Sequence, residues 1–528
     1  MSTTLNERLS ASYNETPYQS YPFPQTAPEH LFAVAALFGV QSVPIEHARI
    51  LELGCAAGGN IIPVAVRFPH AHIVGIDIST SHIAEGQATI ARLGLNNISL
   101  QQNDLSSITK SLGQFDYIIS HGVYSWVPTE VQAAMLRICG ENLSPNGLAY
   151  ISYNTYPGWK YREVIRDAMM FRGANQETPQ ERLSYARGMI DFLHEKSLPG
   201  SLTKKNIDEI QPILKNAQDY YLLHEFLEHC NHPCYFKDFV AASKRNRMTY
   251  LAESQPSSMF LSNFPPEISD PLLRECNGDQ VILEQHLDFL TGRSFRQTIL
   301  IPEHRATEIN YNLDHAQLQN MHFAGIFTQT QPAIGMNEPL KFITVHGSEI
   351  NITHPLAVIA AQILDEYYPS TLQIPHLAQE VSNRTLKTDQ KKNIVECLPV
   401  VIQFINDMIV RGMIRYRCSA VSLATQISEY PLKDSAACRT HLDGSWITNA
   451  WHENTQLNIV EYSLLPLLDG QHDVTALHEH IHQEVTKGQI TFSKQDRVIT
   501  DPAELEISIN EHLQASLISL KRKGLLAR

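Results

Sequence analysis

A glycine turn framed by two acids is the first feature of this sequence that could do chemistry. Glu52-Leu-Gly-Cys-Ala-Ala-Gly-Gly-Asn60 follows a short apolar run, and His72-Ile-Val-Gly-Ile-Asp77 is a second apolar run that ends on an acid. Glycines at such a turn let a ligand lie against bare backbone. An acid about twenty residues further on accepts hydrogen bonds from the two hydroxyls of a ribose. Asp77 is therefore placed to take the ribose of a nucleoside ligand.

The elements that must position these residues follow from the same stretch. Arg49 to Leu53 reads as a strand that breaks into the glycine turn, and Ile61 to Phe68 as the helix after it. The helix Ser81 to Leu93, the strand Ile98 to Gln102 ending in Asn103-Asp104, and the strand Phe115 to Ser120 come next. Strand and helix alternate, which predicts an α/β domain with a parallel, doubly wound sheet.

Two cofactor classes use such a domain, and the turn separates them. A dinucleotide site wants GxGxxG, so that pyrophosphate meets bare backbone at a helix N-terminus. Here Cys55 and Ala56 follow Gly54, and the second glycine is missing. The stretch from Glu52 to Asn60 instead resembles motif I of class I S-adenosylmethionine-dependent methyltransferases, with Asp77 and Asp104 following in order. That resemblance implies a Rossmann-like fold and S-adenosylmethionine as the cofactor. It places the turn, with Glu52, Gly54, Cys55, Ala56, Gly58 and Asn60, beneath the methionine moiety. Asp77, with Ile78 and Ser79 after it, falls at the ribose, and Asp104, between Asn103 and Leu105, at the adenine amine. The sulfonium carries its methyl as an activated electrophile, so such a protein chiefly holds a nucleophile in line with it. Aromatic faces nearby favour the positive centre, and Tyr124 and Trp126 are the candidates.

The residues after the fourth strand bear on the acceptor. Adenine and glutamine amino-methyltransferases carry Asn/Asp-Pro-Pro-Tyr/Phe there, whereas this chain has His121-Gly-Val-Tyr-Ser-Trp-Val-Pro128. Nucleobase and side-chain amide methylation lose their main support. His121 is either a loop histidine satisfied by backbone or a group beside the sulfonium that contacts the cofactor or takes a proton. Ser152-Tyr-Asn-Thr-Tyr-Pro-Gly-Trp159 closes the apolar strand Leu148 to Ile151, and Tyr153, Asn154 and Trp159 lie where an acceptor could enter. Tyr13-Asn-Glu-Thr-Pro-Tyr-Gln-Ser-Tyr-Pro-Phe-Pro24 is too irregular for a helix and is expected as a lid, with Tyr21 facing the acceptor. For any single ring in these segments packing at the sheet edge is favoured; the two segments together favour a cleft role.

The same segments carry a closer resemblance. Tyr-Pro-Phe-Pro-Gln-Thr26, the Glu52 turn, His121 to Pro128 and Ser152 to Trp159 are similar to a bacterial family that joins a class I methyltransferase to a methyltransferase regulatory domain. Tyr220-Tyr-Leu-Leu-His-Glu-Phe-Leu-Glu-His229, Tyr235-Phe-Lys-Asp-Phe239 and Phe289-Leu-Thr-Gly-Arg-Ser-Phe-Arg-Gln-Thr298 resemble that regulatory domain. Its best-known members are rickettsial-type protein lysine methyltransferases that modify an outer-membrane protein. The resemblance implies a lysine acceptor, whose amine must be neutral to react. Desolvation lowers its free pKa of about 10.4, and Tyr21, Tyr124, Trp126, Tyr153 and Trp159 could wall such a channel. His121, Tyr124 or water are the alternatives for taking the proton.

Past Pro157 the pattern changes to helical runs, Tyr161 to Arg172, Pro179 to His194 and Asp219 to His229. His224, Glu225 and His229 do not have HExxH spacing, and His478, His480 and His482 alternate rather than share a helical face, so both groups read as structural and no metal is expected. In the last part, Val401 to Arg415 and Leu513 to Ala527 each read as an amphipathic helix, a stop at Gly412 or Gly524, and a short apolar strand. Each is preceded by another apolar helix, Leu356 to Tyr367 and Ile459 to Leu468, an order that resembles winged-helix modules. Few basic residues start the candidate recognition helices, so protein docking is favoured over DNA. The expected division is a methyltransferase domain over 1–160, a mostly helical regulatory domain over 161–335, and a winged-helix-like region over 336–528, duplicated as 336–420 and 450–528.

Composition narrows the partners. With 528 residues the chain is long enough for several domains, and 41 basic against 55 acidic side chains give −14, which disfavours a nucleic-acid acceptor. No run approaches the roughly 20 apolar residues of a membrane span. The polar start and eight cysteines without a CxxC pair suit a cytoplasmic protein with reduced thiols. The expectation is a protein lysine methyltransferase whose large non-catalytic mass captures a polypeptide. The alternatives are a small-molecule methyltransferase and a silent cofactor-binding regulator or scaffold.

Overall fold

Arg49–Leu53 (β1) is apolar at Ile50, Leu51 and Leu53 and buried along its length after Arg49, as a strand flanked on both sides requires. In the computed structural model, which describes residues 20–216, 219–228, 230–331, 339–344, 347–386, 391–440, 446–494 and 497–528, β1 pairs in parallel with two neighbours. These are His72–Asp77 (β2) and Phe115–Ser120 (β4). Ile98–Gln102 (β3) adds to β2, and Leu143–Asn154 (β5) adds to β4, both in parallel. Helices Ile62–Arg67, Thr80–Leu93 and Thr129–Asn142 make three of the crossovers, and the short 3-10 turns Leu105–Ser107 and Lys110–Leu112 carry the chain from β3 to β4. Ser79 caps the second of these through the amide of His82, and Gly94, in the left-handed region at φ 62°, ends it.

Two further strands finish the sheet and come from far along the chain. Phe295–Pro302 (β7) runs antiparallel to β5, and Met248–Glu253 (β6) antiparallel to β7. The order is β3-β2-β1-β4-β5-β7-β6. The sheet is therefore parallel only over its first five strands, and a boundary drawn at 160 cuts through it. Between β5 and β6 lies a helical insertion, Gly158–Gly173, Pro179–Lys196, Leu202–Asn216 and Asp219–Phe226, with its own core of Ile165, Met169, Ile190, Ile207 and Leu214.

The C-terminal part holds two three-helix units. In the first, Pro355–Tyr367, Ile374–Thr385 and Ile394–Val410 pack with a small sheet of His322–Ala324, Leu372–Gln373 and Arg415–Arg417. Its Ala360, Ile405 and Tyr416 belong to the same apolar core as Leu31 and Ile50. The second unit, Ile459–Leu464, Val474–Thr486 and Pro502–Arg522 with a short antiparallel pair of Ser493–Lys494 and Arg497–Val498, has a separate core around Leu477, Ile481, Leu513 and Leu517. Polar contacts bring it onto the first sheet: Arg67 to Asp434 at 2.9 Å and Arg439 to the carbonyl of Leu93 at 2.9 Å. Among the described residues no helix is long and apolar enough to cross a membrane.

Candidate active site

The carboxyl ends of β1, β2 and β4 open into a cavity of about 310 Å³. The glycine turn forms one wall because its backbone is pinned to β2: Gly54 and Cys55 donate to the carbonyl of Ile76 at 2.8 and 3.1 Å. Gly54 has φ +75°, and a Cβ there would stand 2.4 Å from Val123. Both reasons require glycine.

Asp77 is oriented by the same turn. Its Oδ2 accepts from the Ala56 amide at 2.8 Å and its Oδ1 from the Ser79 amide at 2.8 Å. Each oxygen keeps a lone pair for a ligand hydroxyl. Asp104 is half-buried at the end of β3, and its Oδ1 accepts from the Ser106 amide at 2.8 Å.

Glu52 is 3 % exposed. Its Oε1 accepts from Asn60 Nδ2 at 2.7 Å, whereas Oε2 has no partner. Burial pushes this carboxyl up to about 8, opposed by the Asn60 hydrogen bond and reinforced by Asp77. A buried carboxylate oxygen left unmatched at a cavity wall suits a cationic ligand, such as the amino end of a methionine moiety.

Asn60 joins three distant segments. Its Oδ1 accepts from the Phe23 amide, from Thr26 Oγ1 and from His452 Nε2, each at 3.0 Å. Burial, helped by Arg417 and Arg67, pushes His452 down to about 3, so it is neutral and carries its proton on Nε2. Ser20 Oγ accepts from the Gly59 amide at 2.8 Å. The part of the expected lid before Ser20 lies outside the described residues.

Thirteen of the expected site residues line the cavity: Tyr21, Glu52, Gly54, Cys55, Ala56, Asn60, Asp77, Ile78, Asp104, Leu105, His121, Trp126 and Asn154. Six do not. Gly58, at φ +79°, shapes the turn and accepts from the Ile62 amide at 2.8 Å to start the helix. Ser79 is a helix cap, and Asn103 is exposed, accepting from the Asp104 amide at 2.9 Å.

The other three are aromatic rings that lie behind the wall, and the expectation that they touch reactants is corrected. Tyr124 packs edge-on against Phe239 at 5.3 Å, and burial pushes its phenol well above its usual range, which removes it as a proton acceptor. Tyr153 is 1 % exposed, stacks on Phe239 at 4.1 Å and meets Thr298 Oγ1 at 3.1 Å. Trp159 buttresses Trp126 edge-on at 6.0 Å and packs on Phe226. Large apolar rings gain most from full burial, which Phe239 of the helix Phe236–Arg245 supplies to Tyr124 and Tyr153 and Phe226 of the insertion supplies to Trp159. His121 lines the cavity with Nδ1 2.8 Å from the Tyr150 hydroxyl, and burial pushes it down to about 4. It is a neutral ring and a weak base.

Other lining residues went unread as site residues, above all His224 and Glu225 from the helix Asp219–Phe226. In the sequence these two stand in a histidine and acid cluster without metal-ligand spacing and in the Tyr220 to His229 stretch that resembles the regulatory domain, and neither reading points them at the cofactor cleft. The segment after that helix is laced to the cavity. Asn154 Nδ2 donates to Asn231 Oδ1 at 3.1 Å, and the His232 amide to the carbonyl of Ser125 at 2.8 Å.

Comparison with known proteins agrees with this geometry. The family described as "Methyltransferase domain" matches residues 50–147, "Predicted methyltransferase regulatory domain" matches 218–301, and "PKMT, C-terminal winged helix domain" matches 429–525. The regulatory match takes in β6, all of β7 but its last residue, and the helix carrying Glu225. An uncharacterized protein of Rickettsia prowazekii (strain Madrid E) is 33 % identical over 513 residues, which is 93 % of this chain and 89 % of its own length. A second from the same organism is 36 % identical over 242 residues, 46 % of this chain and 96 % of that protein. Among solved structures, PKMT2 from Rickettsia typhi in complex with AdoHcy superposes with a TM-score of 0.86 at 28 % identity, covering 97 % of this chain and 100 % of that one.

Proposed function

The chain belongs to the family of S-adenosylmethionine-dependent methyltransferases that join a methyltransferase domain to a methyltransferase regulatory domain and a PKMT winged helix domain, and on that premise we propose that it methylates lysine side chains of a protein. Bound S-adenosylmethionine supplies the methyl group as an activated electrophile. In this reading Asp77 holds the ribose hydroxyls, Asp104 the adenine amine, and Glu52 Oε2 the amino group of the methionine end. Tyr21, Trp126 and Asn154 border the acceptor. His121 shields the reacting centre from water as a neutral ring rather than serving as the base.

The observation that carries the reading is the composition of one continuous cavity. Its cofactor side is built by the sheet and the glycine turn, and its far side by the helical insertion and Trp126. A polypeptide needs such a second wall to present one side chain while its backbone stays outside. The eight free cysteines suit a cytoplasmic enzyme, and the resemblance to rickettsial-type enzymes points to an outer-membrane protein met before export.

The test is to incubate the full chain with isotopically labelled cofactor and bacterial envelope-protein fragments, then map the label by mass spectrometry. Label on lysine Nζ is expected. Label absent from every lysine overturns the reading, and label on a low-molecular-weight amine selects a small-molecule methyltransferase instead.

A further inference from the structure

Glu225 is the acidic residue that the helical insertion contributes to the cavity. It sits on the helix Asp219–Phe226, half-buried, and lines the wall with Trp126 and Asn154. Its neighbour Phe226, 1 % exposed, faces the other way into the insertion's core and against Trp159. One residue is thus anchored in the core while the next projects its carboxyl toward the cavity.

Among the described residues Glu225 makes no hydrogen bond and no ion pair. Its electrostatic neighbour is Arg162, which packs over Trp159 at 5.8 Å instead of pairing with it. Burial pushes the carboxyl up to about 7, with Arg162 opposing. Desolvating a carboxylate without a partner is costly, and a structure retains such a group where a ligand completes it. Trp126 adds an aromatic ring to the same cavity, and carboxylate with aromatic face is the pairing that recognises an alkylammonium.

We propose that Glu225 docks the ammonium of the acceptor side chain and then takes one proton from it. This rests on the lysine reading above. The ammonium and carboxylate first form an ion pair. One N–H bond then breaks as an O–H bond forms, leaving a neutral amine with a free lone pair and a neutral carboxyl, with the total charge of the pair unchanged at zero. Exclusion of water favours the neutral pair over the charged one, which offsets the higher basicity of a free alkylamine. The regulatory domain thereby supplies a residue that acts on the substrate itself.

The test uses the full chain saturated with AdoHcy, with n-butylammonium as the lysine mimic and 1-butanol as its neutral counterpart, in the wild type and in Glu225→Gln. The wild type is expected to bind the ammonium at least tenfold more tightly than the alcohol. Glu225→Gln is expected to lose about tenfold for the ammonium while its affinities for the alcohol and for AdoHcy stay unchanged. Equal ammonium binding by the two proteins, no ammonium preference in the wild type, or a matching loss of AdoHcy overturns the proposal. A parallel assay with labelled cofactor and envelope fragments separates it from the lysine reading. If the wild type labels lysine and Glu225→Gln does so with unchanged kcat and KM, the role of Glu225 fails and the reading stands. If ammonium binding depends on Glu225 but no lysine is labelled, the reading fails and the amine site stands.

Discussion

Around Arg296, three carboxylates meet inside the protein and every oxygen is used. Arg296, fully buried, donates to Glu253 at 2.8 Å, to Glu284 at 3.0 Å and through two nitrogens to Asp288 at 2.8 and 2.9 Å. Arg293 takes the second oxygen of Glu253 at 2.8 Å, and the Tyr250 hydroxyl donates to Glu284 at 2.8 Å. Phe236 lies 3.5 Å below the guanidinium. At Glu52, as deeply buried and lining the cavity, one oxygen is matched and the other has no partner among the described residues. The difference separates two uses of buried charge. A completed network fixes architecture, here β6, β7 and the helix Gln280–Thr291; an incomplete one holds a place for a ligand.

The largest expected effect comes from breaking the completed network. Arg296→Met leaves three carboxylates facing one another, and a broken buried pair costs about 3–5 kcal/mol. Denaturant unfolding reads this loss, while the folded fraction keeps its AdoHcy affinity. A loss under about 1 kcal/mol would show that the cluster is not architectural. Asp77→Ala acts in the opposite way. It removes two charge-assisted hydrogen bonds to a ribose, so AdoHcy affinity measured by calorimetry falls about 100-fold, with little change in unfolding beyond the lost Ala56 and Ser79 anchors. Unchanged affinity would move the ribose elsewhere.

Glu52 gives the comparison a pH axis. Its carboxyl is raised to about 8 in the folded protein, above the ordinary value of an unfolded chain, so the folded state binds the extra proton. The associated stability is fully present below about pH 4.3 and is lost as pH rises toward 8, at about 1 kcal/mol per pH unit between pH 5 and 7. Glu52→Gln should flatten that slope while weakening AdoHcy. A wild-type stability independent of pH over this window, after allowing for the protein's histidines, would mean that Glu52 is already ionised and solvated.

How far the sequence could be read follows from range. β1 to β4 are apolar runs punctuated by glycines and acids, and each pairs with a neighbour whose position the alternation implies. Glu52, Asp77 and Asp104 were legible because strand ends within about sixty residues bring them together. β6 and β7 were not, because Glu253 and Arg296 look like exposed polar positions until each is seen to be the other's partner. Tyr124, Tyr153 and Trp159 misled for the converse reason: their residue type fits an aromatic cage, but only Phe239 behind the two tyrosines and Phe226 of the insertion behind Trp159 show that they are covered.

The smallest effect tests whether the second C-terminal unit reaches the cofactor side. His452 lies 392 residues from Asn60 in sequence, yet its imidazole is one of three donors to Asn60 Oδ1. His452→Ala leaves Phe23 and Thr26 in place, so Asn60 keeps two of its three donors and still reaches Glu52. One neutral hydrogen bond is worth about 1 kcal/mol net, and the part of it felt at the cavity is a fraction of that. AdoHcy affinity should fall about threefold, with the loss larger in Thr26→Val/His452→Ala than the two single losses combined, because both act through one amide. Strict additivity, or a His452→Ala protein that binds AdoHcy as tightly as the wild type, would leave the second unit as a docked neighbour with no hold on the glycine turn. Coupling would make the unit farthest along the chain a support for the Glu52 oxygen that awaits its ligand.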